Sequence, residues 1–187
     1  MARGIILASA SPRRKELLEQ VGVTFDVAPA DVDETQFAGE HIDHYVKRVA
    51  IAKAQAILGQ FPDATVIAAD TTVGIDQQIF GKPIDENDAM RMWRQLSGRA
   101  HVVKTTVVIA KENKICHDTI STMVYFKVLD AAEMRQYWQT GEPSDKAAGY
   151  AIQGRAATWV TRIEGSYSNV VGLPLYETLQ LLEQTMA

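Results

Sequence analysis

Ser9-Ala10-Ser11-Pro12-Arg13-Arg14-Lys15 places two hydroxyls and three cations between an apolar run, Ile5 to Ala8, and the apolar positions Leu17, Leu18 and Val21. The run reads as a short buried strand, Ser11 as an N-cap, Pro12 as the first residue of a helix and Gly22 as its end. Cations in a first helical turn oppose the macrodipole, which favours Asp or Glu there. Amides, hydroxyls and guanidiniums at one helix N-terminus form an anion site, and phosphate is the anion they suit. The alternative is a basic turn whose long side chains point into water.

Asp70 closes a second apolar run, Val66 to Ala69. A carboxylate at the end of a buried strand stands where open α/β sheets present their ligands. Beside a phosphate it suits a divalent cation or the activation of water, but it could equally bond nearby turn amides. Glu34 ends the acidic stretch Asp31-Val32-Asp33-Glu34, a solvated turn unless it folds towards Asp70. Two carboxylates brought together would suit Mg²⁺ or Mn²⁺. Lys53 lies within an alanine-rich helix and Lys82 within Phe80-Gly81-Lys82-Pro83. Each alone reads as a surface charge, with Lys82 better placed for a ligand because glycine and proline constrain its loop.

The glycine-rich stretch from Gly141 to Gly154 holds Lys146, Tyr150 and Gln153, groups that bind phosphate, ribose or a base. Gln153 stands out because its amide can pair bidentately with a base edge. Gly165 to Pro174 is a second glycine-and-hydroxyl loop leading into a helix. His41, His44, His101 and His117 show no metal-ligand spacing, and Cys116, in a strand-like run, suits packing better than nucleophilic chemistry. Trp93 and Trp138 fall on amphipathic helices as core residues. There is no Walker A motif, Rossmann glycine triplet or nucleophile-elbow serine, which argues against P-loop kinases, dehydrogenases and α/β-hydrolases.

The elements that must position these groups follow from periodicity. After the first helix come a strand at Val23–Ala28 and a helix from His44 to Leu58 with Tyr45, Val49, Ala52 and Ala56 on one stripe. Thr65–Ala69 is a strand ending at Asp70, and Val73–Ile75 with Gln78–Phe80 flank a hairpin. Asp85 caps a helix to Leu96 that stops near Gly98. Val102–Ala110 and Ile115–Val128 form a long hairpin. Asp130-Ala-Ala-Glu133 resembles a capping box that opens a helix ending at Gly141. Trp159–Ile163 is a strand and Leu173–Met186 a closing helix. Early alternation with hairpins in the middle predicts an α/β fold whose mixed, twisted sheet is flanked by helices.

The 187 residues suit one domain, 1–187, with two lobes about a cleft. A net charge of −4 gives no global field for nucleic acid or an anionic membrane, so any positive site is local. The single cysteine excludes an internal disulfide and fits a reducing compartment. No apolar run is long enough for a membrane span and no leader pattern opens the chain, so a cytoplasmic protein is expected.

Taken in order, these segments resemble the Maf family of nucleotide pyrophosphatases. The likeness rests on Leu7-Ala8-Ser9-Ala10-Ser11-Pro12-Arg13-Arg14, Asp33-Glu34, Lys53, Ala69-Asp70-Thr71, Gly81-Lys82-Pro83, Leu96-Ser97-Gly98, Gly141 to Lys146, Ile152-Gln153-Gly154 and Gly165-Ser166-Tyr167 with Val171 to Pro174. Each is weak alone; their joint order is specific. The resemblance implies an elongated fold like that of inosine-triphosphatase-type enzymes, and metal-assisted hydrolysis of nucleoside triphosphates to monophosphate and pyrophosphate. Asp70 then matches the proton acceptor, or alternatively a metal ligand, and Glu34 the second acidic position near a Mg, Mn or Co ion. Lys53 and Lys82 match phosphate-facing lysines, with the triphosphate along Ser9 to Arg14. Arg13, Thr71 and Gln153 match the positions that separate subgroups, and their identities resemble the branch acting on dTTP, UTP and modified uridine nucleotides rather than 7-methyl-GTP. A homodimer with a house-cleaning role is expected; a nucleotide-responsive regulator of cell division is the alternative. Two departures stand out. Lys104-Thr105-Thr106 lies where small residues commonly follow the threonine, and Ala147-Ala148-Gly149-Tyr150 permutes the usual Ala-Gly-Ala-Tyr order. Both are expected to alter loop details without touching Arg13, Thr71 or Gln153.

Overall fold

β1 (Ile5–Leu7) runs parallel to both β2 (Phe25–Val27) and β3 (Thr65–Ile75), so Ile5 pairs with Phe25 on one side and Thr65 on the other. The structure, a computed structural model, describes residues 4–186, leaving the two ends of the expected 1–187 unit outside it. β5 (Ala100–Lys111), β6 (Lys114–Phe126) and β7 (Val160–Glu164) extend the sheet antiparallel in the order β2-β1-β3-β5-β6-β7. β4 (Gln78–Phe80) folds back on the far end of β3, making seven strands. This is the mixed sheet that the sequence predicts.

The centre of the sheet is covered on both faces, and strand alternation sorts its side chains between them. Ile6, Val66, Ala68, Val108 and Ala110 pack with Ala50, Ala54 and Ile57 of α2 (Ile42–Gln60). Leu7, Ile67, Ala69, Val107 and Ile109 face the other way, against Leu17 and Leu18 of α1 (Pro12–Gln20) and Leu182 of α6 (Leu175–Met186). The same count sends Asp70 to the α2 face and Thr71 to the α1 face. A third cluster gathers α3 (Glu86–Leu96) and α4 (Ala131–Trp138) over the far ends of β3, β5 and β6. Fully buried Trp93 sits at its centre, 5.3 Å from Trp159, with its indole N–H donating to the Ala148 carbonyl at 3.0 Å.

Several expectations need correction. β3 does not end at Asp70 but runs on for five more residues, because β5 pairs with it continuously from Thr65 to Gly74. α2 buries Val46, Val49, Ala50, Lys53, Ala54 and Ile57, so its inward stripe is rotated from the expected Tyr45, Ala52 and Ala56. Ser11 occupies the N-cap of α1 in extended geometry, yet its side chain makes no cap bond. Val21 is the C-cap of that helix, and Gly22 follows with φ +73° as expected of a helix end. Asp130 accepts from the Glu133 amide, but the Glu133 carboxylate pairs with Lys127, so only half of the capping box forms. The stretch read as a glycine-and-hydroxyl loop contains a short helix, α5 (Tyr167–Val171), capped by Ser166 on the Asn169 amide.

Candidate active site

β1 pairs with β3 only as far as Ile67, and β4 joins β3 only from Val73. Between them the edge of β3 from Ala68 to Thr72 has no neighbouring strand on that side, and a cleft of about 490 Å³ opens there. The site thus lies beyond the carboxyl end of β1, where α/β sheets place ligands. All nine residues expected from sequence line it: Ser9, Arg13, Arg14, Glu34, Lys53, Asp70, Thr71, Lys82 and Gln153. Lys146 and Tyr150, which the glycine-rich stretch also offered, line it too, as do Asp145, Tyr45 and Thr72, which the sequence did not single out. Five cations against three carboxylates make the cleft locally positive in a chain of net charge −4.

Lys53 is no surface charge. It is 8% exposed, and its ammonium stands 2.8 Å from Asp70 Oδ1 and 2.8 Å from Glu34 Oε1. Burial of a lysine on an apolar helix face is tolerated because both partners are anionic. Its missed signal was its spacing: it sits three and four residues from Ala50, Val49 and Ile57, on the apolar stripe itself. Asp70 is 6% exposed, and Thr72 donates to its second oxygen at 3.2 Å, so both oxygens of the carboxylate are oriented. Glu34 arrives on the acidic loop, which does fold towards Asp70. The Tyr45 hydroxyl donates to the Glu34 carbonyl at 3.0 Å, and Arg48 holds the Thr35 carbonyl and Glu40. The Arg48 fork pulls the Glu40 carboxyl down to about 2. Burial, helped by the charges of Asp70 and Glu34, raises the Tyr45 phenol to about 12.

The three cations at the first turn divide. Arg14 is built into the protein: Nε donates to the Gly172 carbonyl at 2.7 Å, and its two terminal nitrogens donate to Ser9 Oγ and Thr71 Oγ1. Withdrawal from water lowers its pKa, and Asp70 opposes that shift. Arg13 lines the cleft without a hydrogen bond among the described residues, whereas Lys15 pairs on the surface with Glu19. Lys82 is exposed at the cleft, and Lys146 is held by the Glu142 carbonyl at 2.7 Å. Gln153 is exposed, and its amide makes no hydrogen bond among the described residues.

Both departures reach the site. Thr105 lies in β5, not a loop, and its hydroxyl is 2.9 Å from that of Thr71. Its neighbour Lys104 pairs with Asp43 at the start of α2, and Thr106 bonds Thr119 at 2.7 Å. Ala148 and Gly149 are both left-handed, φ +54° and +64°, in the segment that leads to Tyr150 and Gln153. Tyr150 meets buried His101 Nε2 at 2.7 Å, and burial lowers the His101 pKa to about 4.

Residues 4–185 match the family described as Maf-like protein. The chain is 49% identical over 181 residues to the dTTP/UTP pyrophosphatase of Acinetobacter baylyi, covering 97% of this chain and 99% of that one. It is 50% identical over 185 residues to the protein of that name in Pseudoalteromonas translucida, covering 98% and 97%. Among solved structures, the Staphylococcus aureus Ham1 protein superposes over 99% of this chain and 100% of its own with a TM-score of 0.56 at 12% identity, a likeness of fold. With a family match running almost from end to end and relatives near half-identical across both chains, this protein belongs to the Maf family.

Proposed function

We propose that this protein hydrolyses nucleoside triphosphates, dTTP and UTP foremost and modified uridine nucleotides with them, to the monophosphate and pyrophosphate. The names of its relatives support the substrate class. The observation that carries the chemistry is the Glu34–Lys53–Asp70 bridge in a cleft that also holds Arg13, Lys82 and Lys146. Simple nucleotide binding needs the cations but no oriented acidic pair.

In this reading the triphosphate lies along Ser9 to Arg14, with Arg13 and Lys82 neutralising its charge. Asp70, steered by Lys53 and Thr72, accepts the proton of a water as its oxygen bonds to the α-phosphorus. The bond from that phosphorus to the bridging oxygen breaks, and pyrophosphate leaves. Catalysis is then mostly positioning and charge stabilisation. A divalent cation fits the acidic pair. Glu34 and Asp70 are hard oxygen donors brought together on the Lys53 ammonium. That suits an ion such as Mg²⁺, held by one or two carboxylates plus substrate oxygens rather than by a protein cage. When bound, Mg²⁺, Mn²⁺ or Co²⁺ would neutralise phosphate charge and polarise the phosphoryl group.

Pyrophosphate release from dTTP, UTP, CTP, GTP and 7-methyl-GTP, with each metal, tests the assignment. Preference for dTTP and UTP is expected; preference for either guanine nucleotide overturns it. Hydrolysis in ¹⁸O-water should label the monophosphate, and label in pyrophosphate excludes attack at the α-phosphorus.

A further inference from the structure

Gln153 is the third residue of a tight turn, Ala151 to Gly154, closed by the Gly154 amide donating to the Ala151 carbonyl at 3.1 Å. Both ends of that turn lead to one carboxylate. Directly after it, the Arg155 amide donates to Glu142 Oε2 at 3.2 Å. At its start, the Ala151 amide donates to the Tyr137 hydroxyl at 3.1 Å, and that hydroxyl donates to Glu142 Oε1 at 2.6 Å. The groups themselves fix these directions. An amide N–H only donates and a carboxylate only accepts, so the phenol takes a proton from one and gives its own to the other. Burial, with the Glu142 carboxylate beside it, raises the Tyr137 pKa and keeps that proton on the phenol.

The chain makes room for the carboxylate. Gly154 has φ −104°, open to any residue, but a Cβ on it would stand 2.1 Å from Glu142 Oε1. Glycine is needed there for space and not for backbone freedom. Glu142 also acts through its backbone: its carbonyl accepts from Lys146 Nζ at 2.7 Å, and Lys146 lines the cleft. The Ala148 amide, between the two, donates to the Gly81 carbonyl at 2.9 Å, next to Lys82. Glu142 and Tyr137 themselves stand behind the lining. One carboxylate thus orders the stretch that brings Lys146 and Gln153 to the cleft. A glutamine in its place would turn its NH2 group towards one of the two donors.

We propose that Glu142 is a positioning residue for substrate binding: through Tyr137 and the Arg155 amide it holds the Ala151–Gly154 turn, and with its carbonyl it holds Lys146, so that Gln153 and Lys146 are in place before the nucleoside triphosphate arrives. Ordering a binding segment in advance removes that cost from the binding step. This rests on the pyrophosphatase reading of the cleft. Lys53 and Asp70 are mounted elsewhere, on α2 and β3, so loss of Glu142 weakens binding and leaves the chemical step intact.

The test measures KM and kcat for UTP with Mg²⁺, and the Kd of α,β-methylene-UTP by calorimetry, in the wild type, Glu142→Gln, Tyr137→Phe and Gly154→Ala. Each variant should raise KM and Kd at least about fivefold with kcat kept within about twofold, as when a hydrogen bond to a charged group is lost from a binding segment. Gly154→Ala should do no further harm in a Glu142→Ala chain, because both changes act through one contact. A merely structural loss behaves differently: it lowers the active fraction, and with it kcat, at unchanged KM. That result overturns the inference. So does an unchanged KM in folded Tyr137→Phe and Gly154→Ala, even if Glu142→Gln fails to fold. Wild-type enzyme that binds the analogue but releases no pyrophosphate from UTP or dTTP defeats the pyrophosphatase reading alone, and the Kd comparison still decides the role of Glu142.

Discussion

Lys53 Nζ donates to Asp70 Oδ1 at 2.8 Å, joining the buried face of α2 to the middle of β3. The same ammonium reaches Glu34, so one side chain sets the spacing of both carboxylates. An acidic pair this close would repel without it, and its position is defined by a helix that the rest of the core holds in place. The bridge is also where a phosphate would compete: an ammonium shared between two carboxylates can be shared with a third anion.

Lys53→Met should therefore cost both activity and stability. Removing one partner of a buried ionic cluster typically costs about 3 kcal/mol. Urea unfolding should show that loss, together with a fall in kcat/KM; a variant as stable and as active as the wild type would remove Lys53 from the site.

Asp70→Asn keeps the shape and a partner for Thr72 but removes the proton acceptor. Its kcat should fall by at least ~10²-fold, as expected when general-base help is lost. Binding of a nucleotide should survive, measured by titration calorimetry. Near-normal turnover would take the assigned role away from Asp70.

Arg14→Lys tests whether the first-turn cations are interchangeable. A lysine keeps the charge but cannot reach Gly172, Ser9 and Thr71 at once, as the guanidinium does. The structure predicts a loss in thermal stability and in kcat/KM for both dTTP and UTP. Arg13→Lys should leave stability within about 0.5 kcal/mol, as surface substitutions do.

His101 predicts a pH dependence of folding. Its folded pKa of about 4 lies below the ordinary histidine value of 6.5, so the unfolded chain binds the proton more readily. The stabilisation is complete above pH 6.5 and is lost as pH falls from there towards 4. Between pH 7 and pH 5 the loss from this group should be about 2 kcal/mol by linkage. His101→Gln should flatten that slope in urea titrations run at each pH; an unchanged slope would assign it to other groups.

Ala148→Gly should stabilise. Ala148 holds φ +54°, a region that costs a residue with a Cβ about 1 kcal/mol, partly offset by the entropy of glycine. A gain near 0.5 kcal/mol in unfolding free energy is expected. Gly149→Ala should do the opposite, because its Cβ would stand 3.1 Å from Pro83 Cγ and 3.4 Å from Trp93 Cζ2 at φ +64°.

Much of the site was legible before folding. Ser9 to Arg14 reads as a phosphate site by type and local spacing, whereas Glu34, Asp70 and Lys82 gain their roles only taken together or through the resemblance, and all of them meet in one cleft. Lys53 was misread because two helical stripes compete on α2, and the alanines support either one. Asp70 was placed at a strand end because the apolar run stops there, whereas the ladder to β5 continues through Thr71 and Thr72. Thr105 stood out only within a departure from the family's pattern, and its contact with Thr71 depends on a register that joins residues thirty-four apart.

What the sequence determined by itself is the chemistry and the alternation. Side chains two apart on β3 share a face, so Asp70 follows Val66 and Ala68, and Thr71 follows Ile67 and Ala69, whatever packs against them. What only the tertiary structure decided is the partner on each face: Lys53 of α2 for Asp70, and Arg14 with Thr105 for Thr71. Those partners come from distant parts of the chain. Hydrogen-bond partners and ion pairing at the site are set by distances that no local pattern encodes.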